Sequence, residues 1–215
     1  IARRQLDESA DYAFAFTEPF QRNLKGNSYL NFNTYHPSFN PAERDNMVAH
    51  WLSIANLDSI NSKSYRVTFN YYENGTLVQD VVVINIPAYG RRDIEAGHNY
   101  GPDIVGTIII EPLDPNAEYK AKLNYFGLDS KYGEKPGDHT FTVPLYATRG
   151  SVDETWYLIT NTDDAVNWFE VVNLENEDIE VDLDIFTEAG TVTQVLNLSN
   201  YQNKHLNMND ILGDD

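Results

Sequence analysis

The stretch Ser64–Ile86 (SYRVTFNYYENGTLVQDVVVINI) has the pattern of a β-hairpin. In its first half, apolar or aromatic residues recur at every second position, as in a strand with one buried face: Tyr65, Val67, Phe69 and Tyr71. Asn74-Gly75 then supplies the two residues that most readily take positive φ, which a tight hairpin turn requires. The return strand is rich in β-branched residues and ends before Pro87, which cannot donate a ladder hydrogen bond. The stretch therefore predicts an all-β protein organised around this hairpin.

Parts of this region recur later in the chain, which indicates an internal repeat. Residues 51–58 (WLSIANLD) match residues 168–175 (WFEVVNLE), and residues 75–79 (GTLVQ) match residues 190–194 (GTVTQ). When the two glycines are aligned, the apolar positions of the strands that precede them differ in phase by one residue. We interpret this difference as a change of turn length or a β-bulge in one copy.

A third match concerns the N-terminal residues. Residues 9–16 (SADYAFAF) resemble residues 116–123 (NAEYKAKL), and an aromatic strand follows each of them after a glycine-containing loop. The spacing predicts a first sandwich module at 27–130 and a second at 131–215, which begins with the strand at 141–146. The second module lacks counterparts of 106–111 and 119–126, whereas 1–26 carries an extra copy of the latter strand. We therefore predict a spare N-terminal strand and an incomplete C-terminal module.

The order of these motifs also resembles a known class of proteins. A Trp-containing strand that ends in Asn precedes an alternating strand, a glycine turn, Pro-Ala-x-Gly-Arg at 87–91 and Gly-Thr-Ile-Ile-Ile-Glu at 106–111. This order resembles the immunoglobulin-like β-sandwich repeats of bacterial secreted and cell-surface proteins, although the second copy lacks the Pro-Ala-x-Gly-Arg element. The resemblance implies two tandem immunoglobulin-like modules, an extracellular or cell-surface location in a prokaryote, and a spacer, adhesive or assembly role.

Charge limits the partners that the chain can bind. Its 15 Lys and Arg against 33 Asp and Glu give a net charge of −18. Nucleic acids and anionic membranes are polyanions and would be repelled, so we expect neither as a partner.

No apolar run approaches the roughly 20 residues that cross a bilayer, so no membrane span is expected. The chain has no cysteine, which excludes disulfides and thiolate chemistry.

A sandwich that lacks a strand leaves backbone groups unpaired and an apolar groove open. The spare segment could fill such a groove by β-strand addition, either in its own chain or in the next one, where the contact would propagate into a fibre. We expect residues 11–20 to be the donor segment, with these side chains entering the groove: Tyr12, Phe14, Phe16 and Phe20. The other possibility is that the chain is a piece of a longer array.

Four further residues are candidates for a contact surface. Trp156 and Tyr157 have no counterpart in the first copy. Arg91 and Arg92 lie beside Asp93, and the group is either an anion clamp or a salt-bridged strand end.

Aromatic residues elsewhere in the chain raise the possibility of sugar binding. Exposed aromatic rings can stack on sugars, and the candidates are Tyr71, Tyr72, Trp156 and Trp168. We interpret Trp51 and Trp168, which occupy equivalent repeat positions, as core anchors.

Motifs for metal binding and catalysis are absent from the sequence. The five histidines show no metal-ligand spacing, and no Gly-x-Ser-x-Gly elbow occurs. The adjacent carboxylates of Asp163 and Asp164 are weak calcium candidates, because calcium prefers oxygen ligands. Otherwise we expect no metal and no cofactor.

These observations predict a non-catalytic extracellular structural subunit. We expect it to form a homo-oligomer or homopolymer that assembles head to tail by strand complementation into a filament or surface layer. The alternative is an adhesin or carbohydrate-binding module of a larger secreted protein, with a glycan as its partner. An enzyme that uses the acidic clusters is a third possibility, but no motif places a nucleophile, a base or a cofactor.

Overall fold

The computed structural model describes residues 2–6, 12–17, 23–34, 48–96, 100, 104–128, 139–151 and 168–212. Nearly all of the regular structure in these residues is antiparallel β-sheet, so the prediction of an all-β fold is confirmed. The chain divides into two compact units, Ile1–Arg149 and Gly150–Asp215.

The strands of the first unit are β1 (Ala2–Leu6), β2 (Tyr12–Thr17), β3 (Ser28–Asn33), β4 (Val48–Asn56), β5 (Lys63–Glu73), β6 (Thr76–Ile86), β7 (Arg91–Ala96), β8 (Val105–Pro112), β9 (Tyr119–Leu128) and β10 (His139–Tyr146). Those of the second unit are β11 (Trp168–Val172), β12 (Ile179–Thr187), β13 (Gly190–Leu198) and β14 (Asn203–Asn207), followed by the short helix α1 (Met208–Leu212).

Two four-stranded antiparallel sheets form the body of the first unit, in the orders β3-β8-β5-β6 and β10-β9-β4-β7. Both sheets contribute to one buried apolar cluster, in which Phe32 and Val67 from the first sheet meet Leu52 and Leu123 from the second. The alternation of apolar residues along each strand places these side chains on the face that is removed from water.

The hairpin predicted from residues 64–86 is present as β5 and β6. The two strands pair without interruption from Lys63–Ile86 at the base to Glu73–Thr76 at the tip. Asn74 and Gly75 form the turn with φ angles of 51° and 78°, as the Asn-Gly pair predicts. β5 is an inner strand of its sheet, between β6 and β8.

The strand β10 belongs to the first unit. From the sequence we predict its residues at the start of the second module, with a boundary at 130/131. In the structure β10 pairs with β9 and forms the edge of that sheet, and the division between the units falls after Arg149. An alternating pattern predicts that a strand has a buried face, but it does not predict which strand it pairs with.

The N-terminal residues contain two strands where the sequence analysis predicted one. β1 and β2 pair with each other in antiparallel fashion, from Ala2–Thr17 to Leu6–Tyr12, with a register shift between Gln5 and Leu6. β2 also lies beside β10.

The second unit consists of two strand pairs and the short helix. β11 pairs with β14 from Trp168–Asn207 to Val172–Asn203, and β12 pairs with β13 from Ile179–Leu198 to Thr187–Gly190. Leu196, Leu198 and Met208 are buried in this unit. In the described parts of the chain, no helix is both long and apolar enough to span a membrane.

Candidate functional site

A buried asparagine joins the end of β4 to the base of the β5–β6 hairpin. Asn56 is 1% exposed, and its Nδ2 lies within 2.9–3.1 Å of the carbonyl oxygens of Asn61, Ile86 and Pro87. Its Oδ1 accepts a hydrogen bond of 3.0 Å from the backbone N–H of Asp58. The side chain thus binds backbone groups at three points of the chain, as expected for a buried polar group.

The second unit contains the same arrangement around Asn173. This side chain is fully buried, and its Nδ2 lies 2.6 Å from the carbonyl oxygen of Glu177, 3.3 Å from that of Leu198 and 2.9 Å from that of Ser199. Its Oδ1 accepts a hydrogen bond of 2.8 Å from the N–H of Glu175. We call these two sites the asparagine corners.

A tyrosine with positive φ completes each asparagine corner. The N–H of Tyr89, at φ 51°, donates to the carbonyl of Asp58, and the N–H of Tyr201, at φ 55°, donates to the carbonyl of Glu175. The turn at residues 199–203 therefore matches that of Pro-Ala-x-Gly-Arg at 87–91, although its sequence differs. Strands β11–β14 are structural counterparts of β4–β7, with Asn173 at the position of Asn56.

The structure also explains the phase difference between the repeated hairpins. Both have two-residue turns, but Gly75 is the second turn residue whereas Gly190 follows the turn and pairs with Thr187. Aligning the two glycines therefore shifts the strands by one residue. Because neither ladder is interrupted, our interpretation as a bulge or a change of turn length is wrong. The strands of the second hairpin are instead shorter, at 9 residues each against 11.

Within the described residues, the counterparts of two inner strands pair with another strand on one side only. In the first unit β5 pairs with both β6 and β8, and β4 pairs with both β7 and β9. In the part of the chain that the structure describes, β12 pairs with β13 alone and β11 with β14 alone. An open edge presents a row of backbone N–H and C=O groups to which another strand can pair.

An apolar stripe on β12 is only partly covered. It consists of alternate residues along the strand, all half-buried: Ile179, Val181, Leu183 and Ile185. The counterparts of the last three in the first unit are Tyr65, Val67 and Phe69, which are almost completely buried. Across the ladder from Ile185, Val192 is 40% exposed. The stripe and the two open edges together form what we call the acceptor site.

The sequence that links β1 to β2 matches the sequence that links β8 to β9. Residues 6–12 (LDESADY) align with residues 113–119 (LDPNAEY) without a gap, so β1 and β2 correspond to the strands that pair with β5 and β4. Sequence reasoning identified only the second of these strands. The Leu-Asp-x-x-Ala-acid-Tyr pattern was the signal that could have revealed the first.

In the first unit this motif closes the sandwich. Tyr119 is fully buried, and its hydroxyl lies 2.8 Å from both the carbonyl oxygen of Gly26 and Oγ of Ser28. Burial raises the pKa of Tyr119 to about 12, so the hydroxyl stays protonated and can donate. Ala117, in the same loop, is also buried. The motif therefore links the two sheets, because β8 and β9 belong to different sheets.

Salt bridges connect the same loop to the asparagine corner. Lys63 Nζ lies 2.5 Å from Oδ2 of Asp114 and 3.3 Å from Oδ2 of Asp58. Hydrogen bonds from the backbone N–H groups of Asn61 and Ile60 lower the pKa of Asp58 to about 2. The hydrogen bond from Lys63 lowers the pKa of Asp114.

The predicted donor residues lie partly in the described chain. Tyr12, Phe14 and Phe16 alternate along β2. Phe20 lies outside the described residues, as do Trp156, Tyr157, Asp163 and Asp164. Among the residues that the structure describes, no group of three or more His, Asp or Glu is placed to hold a metal ion.

The two arginines of the predicted contact surface lie next to each other on β7. Arg91 Nη2 forms a salt bridge of 2.8 Å with Oδ2 of Asp93, as expected for a salt-bridged strand end. Arg91 lies opposite Ala55 and Arg92 opposite Ile54, so the two side chains belong to opposite faces of the sheet. Their role in a contact surface stays a prediction.

Trp51 lies elsewhere than predicted, whereas Tyr71 packs against the core, as the alternation along its strand predicts. Trp51 is 40% exposed on the outer face of its sheet, opposite Asn124 and Glu95, so the interpretation of Trp51 as a core anchor is wrong. Tyr71 lies in an aromatic cluster, with its ring centroid 4.7 Å from that of Tyr100. The spacing of apolar residues alone does not show which face of a strand is buried when aromatic residues occur on both faces.

Comparison with known proteins gives few matches. No family description and no curated protein matches the chain. Among solved structures it is similar to one titled "Crystal Structure of Thermotoga maritima 1070", with a TM-score of 0.40, 12% identity, and coverage of 58% of this chain and 93% of that chain. A likeness at this level carries no argument about fold or function.

Proposed function

We propose that this chain is a non-catalytic structural subunit that assembles head to tail by β-strand complementation. The acceptor site on the second unit is the observation that carries the proposal. Open inner-strand edges beside a half-covered apolar stripe favour the addition of strands, because pairing satisfies backbone groups while burial removes apolar surface from water.

The match between β1–β2 and β8–β9 supplies the donor in this proposal. The first unit is closed by β8 and β9, and the chain carries a second copy of that sequence at its N-terminal side. A donor and an acceptor at different places of one chain make a heterologous contact, which propagates into a filament or surface layer. We place this assembly outside the cell, on a prokaryotic surface, in keeping with the resemblance to secreted and cell-surface repeats.

We further propose that both units are modules of one immunoglobulin-like type. The asparagine corners and the common registers of β4–β7 and β11–β14 support a shared architecture. Tyr119, at the start of β9, is comparable with the tyrosine at the corner of immunoglobulin sandwiches, whose hydroxyl bonds to nearby backbone. The strand order differs in one respect, since β3 pairs with β8, whereas the first strand of a constant-type domain pairs with the second.

The test compares the chain of residues 1–215 with a version that lacks residues 1–20. Light scattering and negative-stain microscopy should find long fibres for the complete chain and none for the truncated one. Phe14→Asp should block assembly, because a charge would enter the apolar groove, whereas Ala15→Asp, on the opposite face of β2, should not. Two well-folded monomers would refute the proposal, and a truncated chain that unfolds would mean that the segment closes its own chain.

A binding module for glycans is the second candidate, and one observation favours it. Trp51 is an exposed aromatic residue on a sheet face, with the polar side chains of Asn124 and Glu95 opposite it, and exposed aromatic rings can stack on sugars. A glycan that binds there should quench tryptophan fluorescence in the wild type and in Trp156→Phe, but not in Trp51→Phe. Quenching that Trp51→Phe leaves unchanged would contradict this site.

A further inference from the structure

We propose that β1 and β2 of one copy separate and enter the acceptor site of a second copy as two strands, one in each sheet. β2 would pair with β11 and β1 with β12. This inference rests on the proposed function and specifies its partner and register. It follows from the first unit, where the matching strands β8 and β9 do not pair with each other but with β5 and β4.

The register of β2 follows from that of β9. In the first unit Tyr119 lies opposite Asn56 and Leu123 opposite Leu52. Transferred to the second unit, this register places Tyr12 opposite Asn173 and Phe16 opposite Phe169. Tyr12, Phe14 and Phe16 then take the inward-facing positions of Tyr119, Ala121 and Leu123, all of which are buried in the first unit.

The register of β1 pairs opposite charges. In the first unit Arg66 lies opposite Glu111, and the two form a salt bridge of 2.6 Å on the outer face. Their counterparts in the proposed complex are Asp182 and Arg4, so the pair recurs with its signs exchanged.

The outer face of β12 is acidic, because Glu180, Asp182 and Asp184 alternate along it and are exposed. β1 has two arginines and no acid in a chain with a net charge of −18. This complementarity favours β1 as the occupant, and we assign it to a second copy because β1 of the same chain pairs with β2, which lies beside β10.

The two donated strands differ in what they contribute. Arg3 would lie opposite Leu183, at the inward position that Ile110 occupies in the first unit. β1 is therefore the more polar strand, and β2 should supply most of the affinity. The exchange replaces the single ladder between β1 and β2, which has five residue pairs, with two ladders.

Engineered disulfides test the register directly, because the chain has no cysteine of its own. Directly opposite residues in an antiparallel pair have Cα atoms roughly 4.5–5.5 Å apart, which is within the range that a disulfide spans. Phe16→Cys combined with Phe169→Cys should give a ladder of oligomers on a non-reducing gel. Ala15→Cys combined with Phe169→Cys, displaced by one residue, should not. A disulfide formed within one chain would overturn the inference that a second copy is the partner.

Charge exchange tests β1. Arg4→Glu and Asp182→Arg should each raise the concentration needed for assembly about three- to ten-fold, and the double variant should return to within about two-fold of the wild type. Arg4→Glu with Asp184→Arg has the same net charge as the double variant but should not recover. If the chain assembles and deletion of residues 1–20 abolishes assembly, but neither the disulfide nor the charge recovery occurs, the register is wrong and the proposed function stands. If the wild type does not assemble, both are wrong.

Discussion

Replacement of Asn173 by Ala should destabilise the second unit strongly. The substitution removes two N–H donors, which are shared among three carbonyl oxygens, and one acceptor for the N–H of Glu175. At about 1 kcal/mol for each of three hydrogen bonds, the loss is about 3 kcal/mol. A small unit has only a few kcal/mol of stability, so this change should unfold it at a much lower denaturant concentration.

Urea denaturation and residue-resolved amide exchange would measure the effect. With a slope of about 1 kcal/mol per molar urea for a small unit, the midpoint of the second unit should fall by about 3 M. Asn56→Ala removes the same set of bonds from the first unit and should cost a similar free energy there. Asn197→Ala, at an exposed position of β13, should change stability by less than about 0.5 kcal/mol.

The amide of Glu175 gives a local readout, because its N–H loses its acceptor in Asn173→Ala. If Asn173→Ala left the second unit as stable as Asn197→Ala does, the asparagine corner would not hold the unit together. The likeness between β11–β14 and β4–β7 would then consist of strand pairing alone.

Three further predictions concern the first unit. Gly106→Ala should destabilise the first unit by about 1–3 kcal/mol, as measured by urea denaturation. A Cβ at this position would collide with the backbone oxygen of Asn70 and lie 2.5 Å from the ring of Phe32. A variant as stable as the wild type would contradict this packing. Tyr119→Phe should lower stability by about 1–2 kcal/mol through its lost hydroxyl contacts, and an unchanged melting temperature would show that those contacts contribute nothing. The pKa of Asp58 is about 2 against an ordinary 3.8, so the ionised form favours folding above about pH 4 and its contribution disappears as the pH falls towards 2. Asp58→Asn should therefore flatten the dependence of unfolding free energy on pH between about 2 and 4, and an unaltered slope would refute this assignment.

The sequence predicted the elements whose signals are local. The β5–β6 hairpin has alternating residues and an Asn-Gly turn within one short stretch, and both features act on the backbone where they occur. The repeat of the strand that runs from Trp to Asn could also be recognised in the sequence, because the same set of hydrogen bonds requires an asparagine at both position 56 and position 173.

Features that depend on distant partners could not be predicted in this way. β10 has the sequence pattern of a strand, but this pattern does not indicate its partner. Its pairing with β9 depends on which strand of the sheet is left with an unpaired edge by the other strands. The shared turn at Tyr89 and Tyr201 has different sequences around it, so only the positive φ and the hydrogen bonds show the likeness. Leu52 and Ile54 are two residues apart on β4 and are both buried on the same face. Trp51 precedes Leu52 by one residue, so its side chain lies on the opposite, exposed face.

The separation of β8 from β9 could not be predicted from the sequence either. Their motif, Leu-Asp-x-x-Ala-acid-Tyr, occurs twice, once across two sheets and once in the β1–β2 hairpin. Local sequence is compatible with both arrangements, and the neighbouring strands decide between them.

The shorter second hairpin has a practical consequence for labelling the protein. Two residues fewer on each strand make β12 and β13 about 7 Å shorter than β5 and β6. The asparagine corner, at the other end of the hairpin, is the same in both copies. The fold therefore does not depend on the length of the hairpin strands near the tip. A short epitope or fluorophore-binding peptide inserted between Glu188 and Ala189 should leave both the asparagine corner and the open edges intact. The tip of this hairpin is thus a suitable place to label the second unit for microscopy.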